Sequence, residues 1–489
     1  MISWTKIQSA DRQWRSEWPG DYASAYALLL LVIAAVFYSC LQFGYEPAWG
    51  IVAIPVGITA VAILWKWPIL TFAGLLFIGE FKTVPAQGIS LSDPTMLMFL
   101  LCCGAIIMDW LRDSISGHSE WSLGHLFAGQ GFRISLFMLF VAVLAASFLY
   151  TPAEQYGRTK LLRFITFETL VFFGPILLLK DETMLRPLLW AMIILSLPLL
   201  VKQLLRASHP SQQVLLGNID ITEIGPGMDF GTAMLIAMYT RLIHSRLLMY
   251  GILVLMSAGL VTAAARTPVL ALVLTLLISP FALRKGSRHF SLKRILGIVV
   301  LTALVTGLTF LWIHNKPGIH DKLASKQNEL VTMASSSNDG HGTVATRLAF
   351  YKSAFSALRQ HPFVGLGLGG WSVFYSGEPT ERPPTYPHDF WLEIACEQGL
   401  LGLTLLFTFL ASLFCSARKL ARCPQFSFLM PLLMFHVFNH TFTGTIEDRS
   451  LWFWFGTVVA VSRMVHNHAI HHAPSRSAFE KPFPPHRYS

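Results

Sequence analysis

Runs of apolar residues recur along most of the chain and alternate with short polar segments. A transmembrane helix needs about 20 mainly apolar residues. Candidate spans lie near residues 24–42, 48–65, 67–80, 93–110, 133–150, 160–179, 183–201, 229–243, 247–264, 267–283, 295–313, 400–416, 427–442 and 451–465. The pattern predicts an all-α polytopic membrane protein with about 12–14 transmembrane helices and a large helical loop before the last of them.

Basic residues in the short polar segments indicate how the helices are oriented. Segment 284–294 contains five lysines and arginines and no acidic residue, and cytoplasmic loops carry such an excess. Residues 1–22 are polar and show no signal-peptide pattern, so we expect a mature, cytoplasmic N-terminus. With this orientation the stretch from 314 to about 390 faces the outside.

The chain is therefore divided into five parts. They are a cytoplasmic N-terminus (1–22), a transmembrane helix bundle (23–313), a large periplasmic loop with the candidate active site (314–399), C-terminal transmembrane helices (400–465) and a disordered cytoplasmic tail (466–489).

Composition limits the partners and cofactors that we expect. Charged residues make up only 13% of the chain and hydrophobic residues 53%, which is typical of a membrane protein. The net charge of +10 is explained by basic loops, so we expect membrane lipid and no nucleic acid as a partner. The six cysteines form no CxxC pair, and we predict neither a disulfide framework nor a zinc site.

The large loop contains a predicted helix followed by a glycine-rich segment. Leu348, Tyr351, Phe355 and Leu358 repeat at helical spacing, which predicts an amphipathic helix that ends before Pro362.

Residues 361–371 read HPFVGLGLGGW and contain a GxGxxG match. A dinucleotide site requires that motif between a strand and a helix, and we reject it here. Gly365 and Gly367 instead favour tight backbone packing or the close approach of a ligand.

His388 stands in the sequence PHDFWLEIACEQG, directly before the span at 400–416. A histidine exchanges protons near neutral pH and can act as a general base toward a hydroxyl. The structural alternative is a histidine at a helix start that bonds to the backbone. Asp389 beside it could raise the pKa of His388 or bind a sugar.

Arginines near the predicted outer surface are the second signal. Arg266 opens a span, Arg347 lies on the loop helix, and Arg158 and Arg163 flank the entrance of the span at 160–179. Guanidinium groups match phosphate oxygens, which favours a diphosphate clamp. Interfacial snorkelling is the alternative, above all for Arg158 and Arg163. The chain has no DxD pair, so we predict no metal site.

The order of these residues resembles a known family. His388-x3-Leu392-x6-Gly399 before an apolar span resembles the periplasmic signature of the bacterial O-antigen ligase and O-antigen polymerase family. Arg347 followed by the segment PFVGLG, and Arg266 at the opening of a span, are similar to that family too. The resemblance covers roughly residues 225–465, and the N-terminal half matches only in being helical and apolar.

The resemblance implies a GT-C-like glycosyltransferase in a bacterial inner membrane, with its active site facing the periplasm. It implies transfer of a glycan from undecaprenyl diphosphate to an acceptor hydroxyl, with inversion and without a metal or other cofactor. His388 would be the base, and Arg266 and Arg347 would hold the leaving diphosphate. Asp389 departs from the family, which usually has Asn, Ser or Gln there. Substrate contacts are expected from the residues Arg158, Arg163, Asp389, Gly365 and Gly367.

The acceptor stays open at this point. A ligase uses lipid A-core, a polymerase uses a second lipid-linked glycan, and a protein-directed transferase uses a Ser or Tyr. We favour the ligase, and the short tail disfavours the protein-directed enzyme. A lipid-linked sugar transporter and a non-catalytic scaffold are alternatives from other classes, although no internal repeat supports a transporter.

Overall fold

The computed structural model describes residues 66–81, 94–115, 127–208, 224–240, 242–263, 265–283, 307, 343–377 and 386–471. Several predictions fall on other parts of the chain and lie outside the described residues: the N-terminus 1–22, the spans near 24–42, 48–65 and 295–313, the basic loop 284–294, loop residues 314–342 and the tail beyond 471.

Within the described ranges all regular structure is helical, in 13 helices. They are α1 (Leu70–Phe77), α2 (Pro94–Ile115), α3 (Gly131–Phe148), α4 (Glu154–Leu178), α5 (Glu182–Ser208), α6 (Ile224–Tyr239), α7 (Arg246–Thr262), α8 (Arg266–Leu283), α9 (Thr343–Gln360), α10 (Gly370–Ser376), α11 (Phe390–Leu420), α12 (Leu429–Thr443) and α13 (Arg449–His471). Six of them, α2, α3, α4, α5, α8 and α11, are long and apolar enough to cross a membrane. The predicted class, an all-helical polytopic membrane protein, is confirmed.

The helix bounds follow the predicted spans with a few informative differences. The run near 67–80 forms the short helix α1 and then a 3-10 turn, Ile78–Phe81. The helix that contains the span near 400–416 begins earlier, at Phe390, and has non-helical backbone at Gly399.

An aromatic core joins α3, α4 and α13. The rings of Phe137 and Phe172 stack with centroids 3.8 Å apart, and Trp452 meets Phe164 edge-on at 5.2 Å. Gly456 of α13 lies against the backbone of α4, because a Cβ there would stand 2.0 Å from the carbonyl oxygen of Phe172. Small residues allow helices to approach closely in membranes, and here one fixes α13 beside α4.

The predicted loop helix is α9, and it ends before Pro362 as expected. The apolar residues that predict this helix do not all pack on the protein, because Leu348 is 54% and Phe355 is 55% exposed. The buried face instead carries Phe350, Ala354 and Ala357, which belong to a small core together with Trp371 and Cys396. The two alanines leave room for α9 to pack on α11, which the repeat of larger apolar residues did not reveal.

Hydrogen bonds connect several helix ends at one end of the bundle. The Leu368 amide reaches the Ser147 carbonyl at the end of α3, Arg347 reaches the Phe442 carbonyl near the end of α12, and Thr445 reaches Glu393 near the start of α11. We call this the His388 end. The sequence predicts that this end faces the outside, and that orientation stays a prediction.

Candidate active site

The glycine-rich segment 361–370 is packed into the break in α11. Gly399 has φ 65° and ψ −161°, so the regular hydrogen bonding of the helix is interrupted there. The Leu366 amide donates to the Cys396 carbonyl at 2.8 Å, and the Gly367 amide donates to the Glu397 carbonyl at 2.9 Å. Beyond the break, the amides of Leu400 and Leu401 need acceptors of their own.

Those acceptors come from the same segment. Leu400 N donates to the Pro362 carbonyl at 2.8 Å, and Leu401 N donates to the Phe363 carbonyl at 3.1 Å. The segment thus satisfies backbone groups that the break would otherwise leave unpaired, which matters where water is scarce. It also ties the end of α9 rigidly to α11, whose N-terminus follows His388.

Gly365 and Gly367 are used for packing. Both have positive φ, 70° and 84°, and a Cβ at Gly365 would lie 2.4 Å from the carbonyl carbon of Glu397. A Cβ at Gly367 would meet the carbonyl oxygen of Ser147 at 2.7 Å. Of the two roles that the sequence left open, the structure supplies tight packing, and a substrate contact stays a prediction.

His388 has an unusual backbone and aromatic neighbours. Its φ of 55° is the one positive value among the non-glycine residues that the structure describes. The ring stacks on Phe350 at 5.8 Å and 16°, and the Tyr386 ring is 4.2 Å away. A non-glycine residue held in the left-handed region costs roughly 1–2 kcal/mol, and such strain concentrates at functional sites.

The surroundings of His388 favour its neutral form. Burial lowers the pKa of the imidazole below its ordinary value, and the positive charge of Arg347 lowers it further. Glu393 acts in the opposite direction but does not reverse the shift. A histidine with a lowered pKa is unprotonated at neutral pH, and it can therefore accept a proton from a hydroxyl group.

Arg347 is brought to His388 by α9. Its side chain is half-buried, and one guanidinium nitrogen donates to the Phe442 carbonyl at 3.3 Å. This bond fixes α9 to the end of α12, while the same charge acts on His388. The structure therefore brings together two of the three predicted catalytic residues.

Asp389 caps α11. Its Oδ1 accepts hydrogen bonds from the amides of Trp391 at 2.9 Å and Leu392 at 3.0 Å. Burial raises the pKa of this carboxyl, although the two amide bonds counteract the rise. The cap holds the first turn of α11 behind His388, and a sugar contact by Asp389 stays a prediction.

A buried cluster of charges that the sequence did not predict lies at the start of α4 and α11. Lys160 Nζ is 2.6 Å from Glu393 Oε1 and 2.7 Å from Glu397 Oε2, and the three side chains are between 0% and 2% exposed. Glu393 and Glu397 are four residues apart and so share one helix face. That spacing within a largely apolar run was the available signal, since buried ionisable groups in membranes need partners.

Glu393 also holds the turn between α12 and α13. Its carboxylate accepts from the Thr445 hydroxyl and from the Ile446 amide, each at 3.1 Å. One carboxylate thus joins α4, α11 and this turn, directly beneath the cap at Asp389.

The α12–α13 turn contributes two further acidic residues. Glu447 lies 3.5 Å from Arg163, and burial raises the pKa of Glu447 against the lowering effect of Lys160 and Arg163. Asp448 lies 3.2 Å from His440 Nε2. Burial would raise the pKa of Asp448, but His440, His436 and the Ser450 amide together lower it to about 2.

The remaining predicted arginines are placed differently. Arg163 pairs with Glu447 on the α12–α13 turn. Arg158 and Arg266 are exposed, at the start of α4 and at the first residue of α8. Neither forms an ion pair within the described part of the chain, and the structure does not bring them into contact with His388.

A protein metal site requires several donor side chains close together. No group of three or more His, Cys, Asp or Glu side chains that could hold a metal ion occurs in the described ranges. Asp389 therefore has no such set around it there.

Residues 251–407 match the family model described as O-Antigen ligase. The chain carries an O-antigen ligase family domain. This confirms the resemblance drawn from the sequence, over a shorter range than 225–465. The O-antigen ligase domain starts within α7 and ends within α11, and it includes Arg266, Arg347, His388 and Asp389. No individual curated protein matches the chain.

Parts of the site lie outside the O-antigen ligase domain as matched. Lys160 and Arg163 come from α4, and the turn at Thr445–Glu447 comes from beyond the matched range. Enzymes of the O-antigen ligase and polymerase type transfer glycans from lipid-linked donors at a membrane. The site around His388 is therefore the candidate for that chemistry.

Proposed function

We propose that this protein transfers a glycan from undecaprenyl diphosphate to an acceptor hydroxyl at the periplasmic face of a bacterial inner membrane, with His388 as general base. The observation that carries the proposal is the placement of His388. It is half-buried, held in a left-handed conformation and next to Arg347, which helps to keep the ring unprotonated.

The proposed reaction is a displacement at the anomeric carbon. His388 takes the proton of the acceptor hydroxyl while the hydroxyl oxygen forms a bond to that carbon. The bond from the carbon to the diphosphate oxygen breaks, and its electron pair leaves with the lipid diphosphate. Attack opposite the leaving group predicts inversion, and positioning of both reactants supplies much of the rate.

Arginine side chains supply the complementary charge in this proposal. Negative charge grows on the leaving diphosphate, and guanidinium groups stabilise such charge by paired hydrogen bonds. Arg347 is supported by its position beside His388. Arg266 is supported by its place in the O-antigen ligase domain and by its exposure at the start of α8, which leaves its guanidinium open to a ligand.

The proposed acceptor is lipid A-core, as for a ligase, and the second candidate is a carrier-linked glycan, as for a polymerase. Both present a hydroxyl on a lipid-anchored molecule, and His388 would serve either reaction. The favoured experiment offers both acceptors to the purified full-length protein in liposomes, together with a lipid-linked glycan donor.

We expect glycan to appear on lipid A-core, with the anomeric configuration inverted relative to the donor. Growth of carrier-linked chains instead would move the assignment to polymerase. Movement of donor across the bilayer without a new glycosidic bond would replace the proposal by transport. Retention of configuration would contradict direct displacement.

A further inference from the structure

The glycine-rich segment presents apolar side chains to the outside of the protein. Phe363 is 73% and Val364 is 50% exposed. Leu400 and Leu401, directly after the break in α11, are 44% and 49% exposed, and Leu149 after α3 is 84% exposed. We call these five residues the apolar shoulder.

Hydrogen bonds join the members of the apolar shoulder into one surface. Leu401 N donates to the Phe363 carbonyl, and the Tyr150 hydroxyl donates to the Val364 carbonyl. The shoulder is therefore continuous with the end of α3 and with the part of α11 just after its break, and both helices are long and apolar enough to span a membrane. Large exposed apolar patches mark contact with a membrane or another protein.

Backbone carbonyls and amides of this segment form hydrogen bonds with other protein groups. A segment that faced water could bond to solvent instead. The carbonyls of residues 361–364 accept from protein donors, as does the Leu368 carbonyl. The amides of residues 365–368 donate to protein carbonyls. Irregular backbone at membrane depth is tolerated only where its polar groups find such partners.

We infer that the apolar shoulder is immersed in the acyl chains of the membrane leaflet at the His388 end, so that segment 361–368 is a re-entrant element of the membrane domain. Lipid fits this surface better than a second copy of the chain, because the shoulder continues the outer faces of two spans. Phe363 and Val364 would otherwise face water although the adjoining helix face meets lipid.

The immersion fixes the depth of the active site. Leu400 is eleven residues beyond Asp389 on α11, which corresponds to roughly 16 Å along a helix that rises 1.5 Å per residue. Half of a hydrocarbon core is about 15 Å. With the shoulder within the leaflet, His388 lies toward the headgroup region, where the diphosphate of a lipid carrier would be found. Only this last consequence rests on the proposed function.

Photo-crosslinking in lipid nanodiscs tests the inference. The photoreactive amino acid p-benzoyl-phenylalanine is introduced at Phe363 of the full-length protein, in nanodiscs of phosphatidylethanolamine and phosphatidylglycerol. Its matched control is the same amino acid at Tyr375, a partly exposed aromatic residue at the His388 end. After irradiation, mass spectrometry measures adducts with lipid acyl chains.

We expect several-fold more acyl-chain adducts at position 363 than at position 375. Equal, low adduct levels at both positions, or adducts between two protein chains at position 363, would overturn the inference. Monodisperse elution and an unchanged melting temperature serve as the folding check, and bromine-labelled lipids in place of the nanodisc lipids verify the adduct mass. Since no glycan transfer is measured, a failure here is separate from a failure of the proposed function.

Discussion

Lys160 Nζ lies 2.6 Å from Glu393 Oε1, and both side chains are fully buried. Lys160 belongs to α4 and Glu393 to the first turn of α11, so this contact joins two helices that are distant in sequence. Glu393 also binds the α12–α13 turn. The contact therefore determines where the N-terminus of α11, and with it His388, lies in the bundle.

Replacement of Lys160 by methionine tests this role. The change leaves Glu393 and Glu397 buried without their cation, and removal of one partner from a buried ion pair costs about 3–5 kcal/mol. We expect a lower free energy of unfolding, measured by denaturant titration in detergent micelles. The additional change Glu393→Gln in the same chain should recover part of the loss.

The matched control is Lys352→Met, which removes an exposed lysine from α9. It should leave the free energy of unfolding almost unchanged. Equal effects of Lys160→Met and Lys352→Met would show that the buried contact does not hold the helices together.

The pH dependence of transfer tests the relation between Arg347 and His388. Only neutral His388 accepts a proton, so activity falls at acidic pH as the ring becomes protonated. Burial and Arg347 lower the pKa of His388. The acid limb of the pH–activity profile should therefore have its midpoint below 6.5, the ordinary pKa of a histidine. Arg347→Ala removes a positive charge, raises that pKa and should move the acid limb to higher pH.

Two variants separate charge from other effects of Arg347. Arg347→Lys keeps the charge and should keep the acid limb in place, although transfer slows if paired hydrogen bonds to diphosphate are lost. Arg359→Ala changes an exposed arginine on the same helix and should alter neither the acid limb nor the rate of transfer. An acid limb that is identical in wild type and Arg347→Ala would rule out the electrostatic coupling.

Glycine substitutions test the packing of the segment against α11. Gly377→Ala introduces a side chain at φ 76°, and no atom of the described residues lies within 4 Å of its Cβ. It should therefore lose only the roughly 1–2 kcal/mol of left-handed backbone. Gly365→Ala has a similar φ but collides with the Glu397 carbonyl group. We expect it to be less stable than Gly377→Ala by a further margin of about 1–3 kcal/mol, measured by thermal unfolding. Equal losses would contradict the packing.

The N-cap role of Asp389 can be tested separately. Asp389→Ala removes the acceptor for two amides, and loss of an N-cap costs about 1 kcal/mol, whereas Asp389→Asn retains an acceptor oxygen. We expect reduced stability for the alanine variant and near-normal stability for the asparagine variant. Asp181→Ala, which removes a comparable cap at the start of α5, is the control, with similar loss of stability but unchanged transfer. If Asp389→Asn is stable yet inactive, the carboxylate has a role beyond capping.

Much of the fold was predictable because the membrane restricts secondary structure. Apolar runs predicted both ends of α3 and α8 to within two residues and the starts of α2 and α5 to within one, and Pro362 correctly ended α9. The start of α11 at Phe390 was not predicted, since residues 390–399 contain Glu393 and Glu397 and therefore have too little apolar character. Both carboxylates pair with Lys160, which lies more than two hundred positions earlier, so the local sequence pattern does not reveal the contact.

The residues of the candidate site could be chosen from the sequence, but their geometry could be predicted less well. His388 and Arg347 were identified by residue type and order, and the structure brings them together. Gly399 interrupts α11, and segment 361–370 supplies the missing hydrogen bonds. The role of Gly399 was not predictable, because it depends on backbone pairing between distant segments. The exposure of Leu348 and Phe355 was not predicted for a related reason. Helical spacing shows which residues share a face, but it does not show what that face contacts.

Transfer of glycan from a purified lipid carrier to lipid A-core in liposomes, with His388→Ala compared with wild type, is the most direct test. His361→Ala, which changes an exposed histidine at the end of α9, is the matched control, and all three proteins are compared at equal folded amounts. General base catalysis contributes about 100-fold or more. We predict a loss of at least that size for His388→Ala and unchanged transfer for His361→Ala, and full transfer by folded His388→Ala would contradict the account.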